Sequence, residues 1–75
     1  MLVRITGWIA GFPKVKFNRW LRAHAGFSIA IAKMNVDKIL NGETVVVKIF
    51  NFSKAEIMNE LTGMKIIFKI VEGTK

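Results

Sequence analysis

Residues 14–33 constrain the fold of this chain more than any other stretch, because they indicate a basic helix, a stop and a second amphipathic helix. Pro13 suits the first turn of the first helix. Gly26 can take the left-handed conformation that ends a helix, and Ser28 can cap the next one. The first helix has cations on one face and apolar groups on the other, so we expect a surface suited to docking a partner.

Helical spacing divides each of these two helices into a buried and an exposed side. The expected apolar arc of the first helix consists of Phe17, Trp20, Leu21, His24 and Ala25. The expected buried stripe of the second consists of Ile29, Ala32, Val36, Ile39 and Leu40, before Asn41 and Gly42 close the helix. Ile31 and Met34 fall on the opposite side and are expected to be partly exposed.

Three further segments, residues 2–9, 43–50 and 64–71, have the alternating or β-branched patterns typical of strands. The element order is then β-α-α-β-α-β. We therefore predict a single α/β (α+β) domain over residues 1–75, with two layers and a three-stranded sheet covered by three helices. The expected core includes Phe17, Leu21, Ile29, Val36, Ile57, Leu61, Ile66 and Phe68.

The third helix is predicted from a capping box, in which Ser53 and Glu56 can satisfy each other's free backbone amides. We expect this helix to run to about Leu61, with Gly63 past its end. Its expected core residues are Ile57, Met58 and Leu61.

The charge of the chain is strongly positive and unevenly distributed. The formal net charge is +7, and six Lys or Arg residues precede Asp37, which is the first acidic residue. A basic half-surface attracts nucleic acid, an anionic membrane or an acidic protein face. The same charge can also simply keep a small apolar-rich protein in solution.

The composition indicates a cytoplasmic protein that does not act at a membrane. The chain has no cysteine, which fits a reducing compartment. Its apolar runs are too short and interrupted for a transmembrane helix. Arg4, Thr6 and Gly7 interrupt the N-terminal apolar residues, so a secretory signal is not predicted either.

Catalysis has little support, and we predict no enzymatic activity, no metal and no cofactor. His24 is the only histidine, and a lone helical histidine is usually a packed or half-exposed residue. The few carboxylates do not converge with the spacing of metal ligands. Gly7 and Gly11 do not form a phosphate loop, because no Gly-Lys-Ser/Thr follows them.

Residues 14–33 resemble the C-terminal domain of the bacterial ribosomal large-subunit stalk protein, without a gap across the two helices. The residues that carry the resemblance are Lys14-Val15, Arg19, Arg22, Gly26-Phe27, Ala32-Lys33 and Val36. The order of the remaining elements agrees as well. The resemblance implies a βααβαβ domain that recruits translation GTPases through the first helix and the glycine after it. Carried over by position, the partner-binding residues are Lys14, Arg19, Arg22 and Gly26, with Lys33 nearby.

The same fold is shared by the adaptor of the Clp protease, whose pocket uses acidic residues to receive an α-amino group. No acidic residue precedes Asp37 here, so that function is disfavoured. The chain also departs from the stalk family. It is strongly basic, and Trp20, Ile31 and Met34 replace small or acidic family positions.

These observations predict a non-enzymatic protein-interaction module whose partner presents an acidic face, from the translation apparatus or other host machinery. A small nucleic-acid-binding protein is the alternative. Trp20, Ile31 and Met34 also predict weak self-association, because they would leave apolar area at or near the surface of the two-helix layer.

Overall fold

The sheet of this domain is built around its first strand. The computed structural model describes residues 1–71. Its elements are β1 (Leu2–Trp8), α1 (Lys14–His24), α2 (Ile29–Leu40), β2 (Val45–Lys48), α3 (Lys54–Gly63) and β3 (Ile66–Val71). β1 lies between β2 and β3 and pairs antiparallel with both of them. The predicted α+β class and its β-α-α-β-α-β order are thereby confirmed.

The core lies between one face of the sheet and the helices. Inward-facing strand residues such as Val3, Ile5 and Val47 have at most 1% exposure, while their alternating neighbours are mostly exposed. This alternation is typical of a sheet with one packed and one solvated face. No polar or charged side chain is buried within residues 1–71. The domain therefore has two layers, with the opposite sheet face uncovered.

A continuous set of ring contacts fixes α1 in this arrangement. Phe17 contacts Phe12, with ring centroids 5.6 Å apart, and stacks on Trp20 at 5.9 Å. Trp20 in turn contacts Phe52 in the loop before α3, at 6.1 Å. Aromatic pairs at such separations add to the stabilisation from burial alone. The loops before α1 and after β2 are thus both attached to the buried side of α1.

The helix signals predicted at Ser28, at the Ser53–Glu56 capping box and at Gly26 are confirmed. The Ser28 hydroxyl accepts a hydrogen bond from the Ile31 amide at 3.2 Å. In the capping box, the Ser53 amide donates to the Glu56 carboxylate at 2.9 Å, and the Glu56 amide donates to the Ser53 hydroxyl at 3.2 Å. Gly26 has a φ of 71°, so it does take the left-handed conformation after α1.

The second strand is shorter than predicted, because the backbone amides at the two ends of the predicted segment donate hydrogen bonds to carbonyls of α2 and α1. The Glu43 amide donates to the Lys38 carbonyl at 2.9 Å, which closes the turn after α2. At the other end, the Phe50 amide donates to the His24 carbonyl at 2.9 Å. Residues 43–50 therefore contribute only Val45–Lys48 as strand.

The third helix is longer than predicted, and Gly63 lies within it rather than past its end. Met64 is buried at 1% exposure, so the chain stays helical until this side chain reaches the core. The left-handed residue after the helix is Lys65, with a φ of 59°. Met58, which we expected in the core, is 46% exposed and lies over a shallow groove between α3 and β3.

Two other core expectations need correction. Ile29 is 65% exposed, because it is the first residue of α2 and precedes the turns that pack on the sheet. Phe68 is only half-buried, since β3 is an edge strand. The other predicted core residues are buried: Phe17, Leu21, Val36, Ile57, Leu61 and Ile66.

A β-bulge in β1 reverses the predicted alternation of inward-facing and outward-facing side chains from Gly7 onwards. Ile5 pairs with Phe68, but Gly7 pairs with Ile67, so Thr6 is an extra residue. Trp8 then lies on the same side as the buried Ile66, and Ile9 is 53% exposed. Bulges of this kind re-aim the side chains that follow them.

Replacing Leu21 with alanine should lower the free energy of unfolding by about 2–5 kcal/mol, because Leu21 has 0% exposure. The matched control is Ile29→Ala, at an exposed position, which should change it by less than about 0.5 kcal/mol. Urea denaturation followed by circular dichroism measures both. Equal losses in the two variants would contradict this packing of α1 and α2.

Candidate functional site

A shallow groove of about 290 Å³ lies between α1 and α2 and combines apolar and charged side chains. Its lining consists of Lys14, Val15 and Asn18 from α1, with Lys33, Val36 and Asp37 from α2. Val36 is buried at 5% exposure and forms the apolar base, while Val15 is 72% exposed at the rim. A partner side chain could therefore bury apolar area in this groove while charged groups pair at its edge.

The α1 side of the groove follows from helical spacing. Lys14, Asn18 and Arg22 are each four residues apart, so they share one side of the helix. The apolar arc of α1 lies on another side, where Phe17 and Leu21 are buried. Lys14 and Asn18 line the groove together with residues of α2, and Arg22 lies one turn further along the same side of α1.

Arg22 is the least satisfied charged group of this surface. It is half-buried, and its Nε is shielded from solvent without any hydrogen-bond acceptor. Leaving such a donor unpaired costs about 1–3 kcal/mol. No internal hydrogen bond holds the guanidinium in place, so its rotation towards an arriving carboxylate breaks none. The Arg22 side chain is therefore available to an acidic partner.

Lys33, in contrast, already has a carboxylate partner. Its Nζ lies 3.1 Å from the Asp37 carboxylate, one helical turn further along α2. Both side chains are more than half exposed, so this ion pair contributes little stability. The rim of the groove on α2 is thus neutralised, whereas its rim on α1 is positive.

The predicted cations do not all converge on the groove. Arg19 is three residues before Arg22, which places it about 60° further round the helix. It is exposed on the outward side of α1, next to Lys16. The sequence-predicted set therefore separates into Lys14, Arg22 and Lys33 at or beside the groove and Arg19 on the outer ridge.

Gly26 acts through its backbone in this structure. It lies in the turn between α1 and α2 with a φ of 71°. A Cβ atom added there would have no other atom within 4 Å, so space does not require glycine. The backbone conformation favours glycine, because residues with a Cβ atom are disfavoured in the left-handed region.

One of the three residues predicted for self-association, Trp20, is buried. Trp20 is only 7% exposed, because its ring packs against Phe17 and Phe52. Ile31 and Met34, both on α2, are 40% and 47% exposed, as expected. Any apolar contact between copies through this region would therefore involve Ile31 and Met34 without Trp20.

His24 lies within the aromatic cluster. Its ring is stacked 4.2 Å from Phe52 and lies 5.1 Å from Trp20. Residues 1–71 contain no group of three His, Cys, Asp or Glu side chains placed to hold a metal ion. Glu72, the last acidic residue, lies outside the described residues. In the described chain, no helix is long and apolar enough to cross a membrane.

Comparisons of the chain with protein-family models, curated proteins and solved structures gave no match. The resemblance to the ribosomal stalk domain thus depends on the residues quoted for it and on the order of elements. It stays an expectation about function.

Sequence reasoning missed three members of the groove, Val15, Asn18 and Asp37. Asp37 had a usable signal, because its four-residue spacing from Lys33 is typical of an ion pair on a helix. Asn18 had a weaker one, since it lies one turn from both Lys14 and Arg22. The exposure of Val15 follows from the orientation of α1, which spacing alone does not give.

Substituting Gly26 tests whether this residue has a backbone role. Gly26→Ala should lower the free energy of unfolding by about 1–2 kcal/mol, because alanine is strained at this φ. Gly26→Asn should cost less, since asparagine tolerates the left-handed region. Thermal unfolding of the two variants compares them. An alanine variant as stable as the wild type would exclude the backbone role.

Proposed function

We propose that this domain is a non-enzymatic protein-interaction module whose basic α1 docks on an acidic face of a partner protein. The observation that carries the proposal is the half-buried Arg22, whose Nε has no acceptor in the described chain and which lies one helical turn beyond the groove residue Asn18 on the same side of α1. Lys14 and Arg19 likewise form no ion pair within residues 1–71. A partner carboxylate would supply what these three cations lack.

The mixed character of the groove favours a protein over other anionic partners. An arginine fork binds carboxylate and phosphate equally well, so Arg22 alone does not distinguish them. The exposed Val15 and the apolar base at Val36 do distinguish a protein from a phosphate-bearing partner, because aliphatic side chains of a protein would cover them. A protein segment with a carboxylate next to an aliphatic residue matches both parts of the groove.

A nucleic acid is the alternative partner, and the net charge of +7 is the observation in its favour. Single-stranded nucleic acids bind largely by stacking of bases on exposed aromatic rings. Trp20, on the basic helix itself, is buried and has no such free face. The more exposed Trp8 lies in β1, and Phe50 lies in the loop between β2 and α3.

The resemblance of residues 14–33 to the ribosomal stalk domain supports the same surface and adds a partner class. We extend the proposal accordingly to a translation factor or other host machinery with an acidic docking face. A cytoplasmic location is part of this proposal, because such partners are found there.

Charge reversal at Arg22 should abolish partner recovery. Tagged wild-type protein and the variants Arg22→Glu and Lys38→Glu, which change the charge equally, are used to capture partners from a cell extract with and without nuclease. Arg22→Glu should lower recovery of one specific protein more than about tenfold, as expected for a lost charge pair. Lys38→Glu, on the side of α2 away from the groove, should recover it as the wild type does.

The nucleic-acid alternative predicts a different pattern. Binding to a labelled duplex would weaken with salt, with a logarithmic slope of about 0.9 per phosphate contacted. Reversal of Lys16, Lys38 or Lys48 would then matter nearly as much as reversal of Arg22, since phosphate contacts are diffuse. Recovery that disappears after nuclease treatment, together with this even pattern, would overturn the protein-partner proposal.

A further inference from the structure

The sheet face opposite the helices carries every cation of the three strands. We call it the open sheet face, and it is formed mainly by Leu2, Arg4, Val46, Lys48, Ile67 and Lys69. Arg4, Lys48 and Lys69 are all exposed, and they alternate along their strands with side chains that face the core. None of the three helices described within residues 1–71 packs on this side, so these side chains can meet a partner.

The strand register brings these three cations together. Arg4 on the central strand pairs directly with Lys69 on β3 and with Val46 on β2. Lys48 lies two residues beyond Val46 and is therefore diagonal to Arg4. Directly opposite side chains are about 5 Å apart and diagonal ones about 7–8 Å, and like charges in opposite positions destabilise a sheet. The pairing of Arg4 with Lys69 thus carries an intrinsic repulsion.

Nothing in the described chain neutralises this cluster. The segments that form β1, β2 and β3 contain no Asp or Glu. None of the three cations forms an ion pair within residues 1–71. The Lys48 ammonium lies 5.6 Å from the centre of the Phe50 ring, a cation–π contact that supplies no negative charge. An anionic partner would therefore both bind this face and relieve its repulsion.

Aliphatic side chains lie between the cations. Val46 is 53% exposed beside Arg4, and Ile67 is 48% exposed on β3. The Ile67 side chain lies across Gly7, with its Cδ1 3.4 Å from where a Gly7 Cβ would be. Cations and aliphatic groups thus share one surface, and a suitable partner needs carboxylates and apolar side chains in the same segment.

From this face we propose a second docking site, which binds an acidic amphipathic α-helix of a partner protein. Strands lie about 4.8 Å apart, so the two outer strands of this sheet are separated by about 10 Å. One α-helix is about 10–12 Å wide and would cover the face. Its aliphatic residues would pack on Val46 and Ile67, and carboxylates along its sides would pair with Arg4, Lys48 and Lys69. This site lies on the other side of the sheet from α1 and goes beyond the function proposed above.

The composition of the face argues against other occupants. A second copy of this chain, related by a two-fold axis, would bring the same uncompensated cations together. Nucleic acid would neutralise the charge, but among the described residues beside these cations it would find one exposed ring for stacking, Phe50 next to Lys48. It would also leave Val46 and Ile67 without apolar contacts. A protein segment with carboxylates and aliphatic side chains satisfies both halves of the surface.

The test uses two synthetic helical peptides of about 18 residues, long enough to span about 27 Å. One has a leucine stripe flanked by glutamates, and the other has glutamine at every glutamate position. Amide chemical shifts of the isotopically labelled protein are followed during titration. The glutamate peptide should perturb amides of β1, β2 and β3 and bind at least about tenfold more tightly than the glutamine peptide.

Protein variants then assign the site. Lys69→Glu should weaken binding of the glutamate peptide by at least about tenfold and raise the urea midpoint, since it removes the repulsion with Arg4. Lys38→Glu, with the same charge change on α2, should leave binding unchanged and should not raise the urea midpoint, because a carboxylate is unfavourable in the last turn of a helix. Arg22→Glu should also leave peptide binding at the sheet unchanged, so failure of the α1 site and of this site are distinguished. Arg4→Gln should also weaken binding of the glutamate peptide, and this variant replaces Lys69→Glu in the test if Lys69→Glu does not fold.

Three results would overturn the proposal. The first is that the glutamate peptide perturbs only amides of α1 and α2. The second is equal affinity for the glutamate and glutamine peptides. The third is that vesicles of anionic phosphatidylglycerol or a single-stranded RNA perturb the strand amides at lower concentration than the peptide does.

Discussion

The contact of Phe17 and Trp20 with rings on both sides of α1 is the interaction on which the rest of this structure depends. Through Phe12 and Phe52 it connects the loop before α1, the helix itself and the loop before α3. The hydrogen bond from the Phe50 amide to the His24 carbonyl attaches the chain after β2 to the same helix. With this side of α1 held in the core, Lys14 and Asn18 line the groove together with residues of α2, and Arg22 lies one turn further along the same side. The groove is thus a consequence of aromatic packing on the other side of the helix.

Much of the fold follows from local signals in the sequence. The cap at Ser28, the capping box at Ser53 and the left-handed Gly26 each satisfy or redirect backbone groups within a few residues, so spacing alone predicts them. The sequence predictions were wrong where contacts between residues far apart in the chain determine the structure. Met64 extends α3 because it reaches the core, and Ile29 is exposed because of where α2 begins.

The candidate sites were likewise predicted only where local spacing determines them. Helical spacing places Arg22 and Lys14 on one side of α1, which the sequence shows directly. It does not show that Trp20 is enclosed by Phe52, or that Lys33 and Asp37 neutralise the opposite rim of the groove. The cation cluster of the open sheet face was beyond sequence reasoning altogether. Arg4, Lys48 and Lys69 are far apart along the chain and meet only because β1 pairs with both other strands.

The central position of β1 has a consequence for how the chain folds during synthesis. The strand made first pairs with residues 45–48 and 66–71, so neither edge of the sheet can form until most of the chain has been made. Closing such long loops before any strand pairing is gained slows folding. Until then β1 has two unpaired edges and a nascent chain rich in apolar residues, which is an aggregation hazard. The positive charges of β1 and α1, which leave the ribosome before β2 and β3 do, oppose association of such chains during that interval.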